Sequence, residues 1–138
     1  MSVFKIFDVA GSGMSAQMLR LNTISSNLAN AETMAGKAED VYKARRPVFE
    51  TVLNKFGGGN DIAAVKVSEI VEADTPAIPH YMPGHPLANK EGYVFSPGIN
   101  GIEEMADMIS ASRSYQNNVE VLSTAKQLLI RTLSLGRS

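Results

Sequence analysis

The chain has 138 residues, 44% of them apolar, and a net charge of −1. That length suits one domain, the apolar fraction allows a core, and the near-neutral balance gives no bulk attraction to nucleic acid or anionic lipid. There is no cysteine, which removes disulfides, thiolate metal sites and thiol nucleophiles together.

No stretch approaches the roughly 18 consecutive apolar residues of a membrane span. The N-terminal "MSVFKIFDVAGSG" is interrupted by Asp8 and too mixed for a secretory apolar region, so no cleavable signal is expected. Composition divides the chain into residues 1–35, 36–100 and 101–138. The first part has no proline, Ile102 to Leu135 has neither proline nor glycine, and the middle holds all six prolines and the run Gly57 to Gly59. This pattern predicts an α+β chain: two long terminal helices flanking a small, irregular, β-containing insertion.

In the first segment Phe7, Met14, Leu21 and Leu28 recur every seven residues, with Met18, Ile24 and Ala31 near a companion seam. Such a stripe marks a helix made to pack on another helix. Gly11 and Gly13 each weaken its start by roughly 1 kcal/mol, so the first dozen residues are expected to fray in the free chain. The segment ends in "SSNLANAET", Ser25 to Thr33, where Asn27 and Asn30 are three apart and share a side of the helix. Asparagine is a poor helix former because its amide competes for backbone groups. Two readings are open: the pair frays and caps the helix end, or it bonds across an interface and fixes register.

The middle segment offers limited strand signals. "VYKARRPVFET" (Val41 to Thr51) reads as extended, with Pro47 marking an edge. In "DIAAVKVSEIVEAD" (Asp61 to Asp74), Val65 and Val67 alternate with polar neighbours and Ile70 and Val71 fall out of phase, which predicts a strand with a bulge. "GGGND" joins the two as a hairpin-type connection. The proline-rich run from Asp74 to Gly98 reads as an extended crossing segment outside the core.

The last segment is the stronger helix. Asn100 is its expected N-cap, with Glu103 at the capping-box position. Acidic residues gather near its start and Lys126, Arg131 and Arg137 near its end, as the helix dipole favours. Met108, Tyr115, Leu122 and Leu129 recur every seven residues, Met105, Val119 and Leu133 form an adjacent row broken by Ser112 and Lys126, and Gly136 is placed to end the helix. About 35 residues at 1.5 Å each span roughly 50 Å, so the helix needs a long partner, and the first segment is the only one in the chain. The two are expected to pair as an antiparallel coiled-coil-like unit. Ile109, Leu128 and Ile130 lie off the main seam. The middle segment is poor in large apolar residues, so other copies of the chain are the better candidates to cover them.

The clusters that chemistry needs are absent. His80 and His85 have no third ligand nearby, so no metal site is expected. "GSGMS" lacks the strand and lysine of a phosphate loop, and no serine sits in a triad context. Lys43, Arg45 and Arg46 form a local basic cluster better read as a solvated strand edge than as a nucleic-acid site. No catalytic residue, cofactor or small-molecule substrate is expected. The residues describe a protein that works by assembling.

"SGMSAQMLRLNTISSNLANAET" resembles the signature of the bacterial flagellar rod and hook family: an amphipathic helix running into an N-x-A-N-x-x-T motif, filled here by Asn27, Ala29, Asn30 and Thr33. "EEMADMISASRSYQNNVEVLSTAKQLLIRTLSLG" resembles the family's partner helix, and "YKARRPVFE" and "GHPLANKEGYV" are similar to its proximal rod members. The resemblance implies terminal helices packed in an inner tube, with the middle segment as an outer layer. It implies a drive shaft that carries torque from motor to hook, standing in the periplasmic space of the basal body. Export would run through the flagellar type III channel without a cleavable signal. The implied partners are further copies, other rod proteins, the motor-ring and export-gate base, and distal rod components. Another axial role, in a different proximal rod position, the distal rod or the hook, is the alternative; a small enzyme or ligand-binding module is disfavoured.

Overall fold

The computed structural model describes residues 3–54 and 62–136. Helix α1 runs Val3–Asn30 and α2 Gly101–Leu135. Between them lie a short 3-10 turn, Ala38–Asp40, and strands β1 (Arg45–Asn54), β2 (Ile62–Glu72), β3 (Ile78–Tyr81) and β4 (Tyr93–Ser96). The class is α+β, and the helices pair antiparallel: Asn27 of α1 meets Glu104 of α2, Arg20 meets Asp107, and Gly13 lies against Asn118.

Among the described residues α1 is continuous through both glycines. Gly13 has a packing reason to be there, because a Cβ at this position would stand 3.0 Å from the Asn118 amide nitrogen. At the head of α2, the Asn100 side chain accepts a hydrogen bond from the Ile102 N–H, as its cap position requires. At the other end Gly136 stays right-handed (φ −77°) and its N–H bonds the Thr132 carbonyl, so it continues the last turn rather than taking a left-handed cap.

Among the described residues, the helix seam differs from the expected one in its second row. Met108, Tyr115, Leu122 and Leu129 are half-buried as the heptad predicts, but the row that goes deepest beside them is Glu104, Ala111, Asn118 and Ala125, also seven apart. Met105, Val119 and Leu133 lie on the opposite flank of the Met108 row and are exposed. In α1, Phe7, Met14, Leu21 and Leu28 are half-buried, Ala10 and Ile24 are buried, and Met18 is exposed. Small side chains let the helices approach closely, since interaxial distance follows the residues at the contact. A seam of alanine, glycine and asparagine therefore sits where large residues would hold the helices apart.

Strands β1 and β2 form an antiparallel hairpin in which Val48 faces Glu69 and Phe49 faces Val67. Ser68 is the extra residue of the expected bulge, and its hydroxyl donates to the Val48 carbonyl at 3.3 Å. The "GGGND" connection lies outside the described residues. The proline-rich segment corrects the sequence reading. It is not merely a crossing run: β3 and β4 close a second antiparallel hairpin, turned at Gly92 (φ +86°). Val94 in β4 is fully buried, and Phe95 exchanges two backbone hydrogen bonds of 2.8 Å with Ala35, tying the chain after α1 to the chain before α2.

Few large side chains are buried outright. Among the described residues the largest side chains less than 2% exposed are Val94 and Asn27, and one of these is polar.

Candidate assembly site

Asn27 is 1% exposed and spends its whole amide on neighbouring elements. Its Nδ2 donates to the Arg45 carbonyl at 2.9 Å and to Glu104 Oε2 at 3.0 Å. Its Oδ1 accepts from the Arg45 N–H at 2.8 Å and from the Tyr42 hydroxyl at 3.1 Å. The side chain thus pairs with both backbone groups of Arg45 as an adjacent strand would, and fastens the first residue of β1 to the last turns of α1. The two acceptors and two donors fix which way the amide points.

Glu104, 2% exposed on the first turn of α2, receives the second side of that amide. Arg46 Nη2 reaches its Oε1 at 3.3 Å, while Arg46 Nη1 stands 3.7 Å from Asp107 Oδ2 and Arg20 Nη2 reaches Asp107 Oδ1 at 3.3 Å. Two carboxylates of α2, one arginine of α1 and one of β1 therefore balance in charge. Removing water from Glu104 is tolerable only because charge and hydrogen bonds replace it. The early acidic residues of α2 were expected to serve the helix dipole; two of them also form this junction.

Asn30 behaves differently. Its Nδ2 donates to the Ser26 carbonyl one turn back at 2.8 Å, and the Thr33 hydroxyl bonds the Asn30 carbonyl at 2.7 Å. Of the two motif asparagines, Asn27 crosses to other elements of the same chain and Asn30 trims the end of α1. Ala29 is exposed on the same turn. Sequence reasoning singled out Asn27 but missed Glu104, Arg20 and Arg46 as its company. An acidic residue and an arginine at those positions look like ordinary surface charge until α1, β1 and α2 are brought together.

Beyond this junction much of the apolar surface of α2 has no cover. Ile102, Met105, Ile109, Val119 and Ile130, with Leu133 at 63%, are exposed on one flank; Val121, Leu128 and Leu135 are exposed on the other. On α1, Phe4 and Met18 are exposed as well.

A polar cluster consumed in holding three elements together, beside long helices with exposed apolar residues on more than one side, is the arrangement of a structural protein. Residues 7–34 match the model for flagella basal body rod proteins, and residues 90–135 match that for the C-terminal part of flagellar basal body rod FlgEFG proteins. The chain is 43% identical over 137 residues to the flagellar basal-body rod protein FlgC of Escherichia coli O6:H1, covering 99% of this chain and 100% of that protein. It is 44% identical over 137 residues to the FlgC of Yersinia enterocolitica, with the same coverage, and 37% identical over 150 residues to that of Bacillus subtilis strain 168, covering 99% and 100%. The chain belongs to the flagellar basal-body rod protein family, whose members are structural components of the basal body.

Proposed function

We propose that this chain is a proximal rod subunit that polymerises through α1 and α2 into the shaft carrying torque from the motor to the hook. In this reading residues 1–35 and 101–138 form the wall of an inner helical tube, and residues 36–100 form an outer layer fixed to it by the Asn27–Glu104–Arg46 junction. The carrying observation is the uncovered apolar surface of α2: Met105, Val119 and Leu133 lie outside the α1–α2 seam and are exposed in the single chain. Burying a large aliphatic side chain is worth about 1.5–3 kcal/mol, so each of these positions favours a neighbour.

The partners are further copies and other rod proteins, with the motor-ring and export-gate base at one end and distal rod components at the other. The subunit is exported by the flagellar type III system and stands in the rod within the periplasmic space. The test is direct. The tagged chain, expressed in a strain made non-motile by loss of its own copy of this rod subunit, should restore swimming and remain with the basal body after the membranes are dissolved. Recovery only in the soluble fraction would refute the assignment.

A further inference from the structure

The rows of α2, counted at heptad spacing, separate its uncovered surface into two unlike halves. The rows through Glu104 and Met108 lie against α1. On one side of that seam is a ridge: Met105, Val119 and Leu133, with Lys126 between the last two, backed by Ile102, Ile109 and Ile130. On the other side Val121 and Leu128 combine with Ile6 of α1 to wall a groove of about 400 Å³ floored by Ala125, with Glu120 on its rim. Arg113, Gln127 and Arg131 occupy the exposed face between the two. Ridge and groove are on opposite flanks of one continuous helix, so a chain cannot close one on the other.

We propose that the ridge of one copy seats in the groove of the next, as a heterologous contact between copies of this chain. The inference rests on the helix-mediated assembly proposed above and specifies its faces. The two surfaces are complementary in form and in charge: Glu120 edges the groove, Lys126 stands in the ridge, and among the described residues neither has an ion-pair partner. An isologous dimer would pair ridge with ridge and set Lys126 against a like face, whereas ridge-to-groove pairing leaves a free ridge and a free groove on every pair and so propagates. With parallel helices, placing Lys126 beside Glu120 offsets neighbouring copies by six residues, roughly 9 Å at 1.5 Å per residue. The same offset brings Leu133 of one copy to within one residue, about 1.5 Å of rise, of Leu128 in the next.

The chain has no cysteine, so engineered thiols report without background. Leu133→Cys and Leu128→Cys are to be expressed separately and together in cells, and basal bodies oxidised before purification. Disulfide-linked pairs are expected only when both variants are present. Equal cross-linking by either variant alone would overturn the heterologous arrangement, and so would the lack of any mixed pair in basal bodies that contain both variants. In parallel, Glu120→Lys and Lys126→Glu should each lower incorporation at least about fivefold, the equivalent of roughly 1 kcal/mol, and the double exchange should restore it. Normal incorporation of both single variants would refute the charge pairing. Either failure in basal bodies that still hold the chain would leave the rod assignment standing; absence of the unaltered chain from them would overturn both.

Discussion

Replacing Asn27 and Asn30 one at a time by alanine separates the two roles that the motif combines. Either change raises helix propensity by about 0.5 kcal/mol. At Asn30 the loss is one bond back to the Ser26 carbonyl inside the same helix, so the variant should lie within about ±0.5 kcal/mol of the parent. At Asn27 four hydrogen bonds disappear. Arg45 and Tyr42 are accessible enough for water to replace part of what they lose, but Glu104 is not. An orphaned buried partner costs about 1–3 kcal/mol, more for a charged one, so the net loss should be about 2–4 kcal/mol after the propensity gain. Protease sensitivity of the refolded protein and chemical denaturation followed by circular dichroism measure it. In cells, export is read from the secreted subunit and assembly from the basal body. The Asn27 variant should export normally and assemble poorly; the Asn30 variant should do both normally. Equal stability of the two variants would refute the junction as the element that fixes β1 on the helices.

Arg46→Ala removes the guanidinium from Glu104 while leaving the Asn27 amide; because Arg46 is half-exposed the cost should be about 1–3 kcal/mol, read as a lower denaturation midpoint. Gly11→Ala should stabilise by roughly 0.5–1 kcal/mol, because nothing lies within 4 Å of its added methyl, whereas Gly13→Ala should gain less because the Asn118 amide must move; thermal melts of the two variants in wild-type and Asn118→Ala backgrounds test this, and the difference should vanish in the latter. Gly92→Ala should loosen the β3–β4 hairpin by about 1–2 kcal/mol, since its φ is +86° and the new Cβ would meet the Tyr81 ring at 2.9 Å; faster amide exchange at Met82, whose N–H donates to the Gly92 carbonyl, is the readout. Leu122→Asp puts a charge into the half-buried row facing α1 and should cost several kcal/mol, abolishing swimming.

The sequence announces its helices because each carries large apolar residues at one strict interval. Phe7, Met14, Leu21 and Leu28, and Met108, Tyr115, Leu122 and Leu129, all end half-buried. What completes the seam is not visible by the same criterion. Ala111 and Ala125 are buried for being small, and Glu104 for being paired. A search for large residues passes over that row and chooses Met105, Val119 and Leu133 on the other flank instead. The second hairpin was hidden by its prolines. Pro79 sits in β3, which pairs with β4 alone, so its missing N–H is tolerated on the unpaired side. The bulge of β2 was legible because Val65, Val67, Ile70 and Val71 change phase within the strand itself.

Asn27 and Asn30 show where local reasoning stops. They are the same residue type, one helical turn apart, on the same side of α1. Their difference arises from what the chain brings back to that turn: β1 begins opposite Asn27 with Arg45, and α2 begins opposite it with Glu104. One turn later the helix ends and no strand returns. The junction also divides α1 and α2 into unequal lengths. Near it the pair is pinned by a buried amide, two carboxylates and two arginines. Towards the N-terminus of α1 and the C-terminus of α2 it is held by small residues such as Ala10, Gly13 and Ala125, while Phe4, Leu128 and Ile130 remain exposed. Charge pairing and hydrogen bonding set geometry without requiring a neighbour, whereas an apolar row becomes stable in proportion to what covers it. The same two helices therefore fix the attachment of the middle segment within one chain at one end and leave apolar rows uncovered at the other.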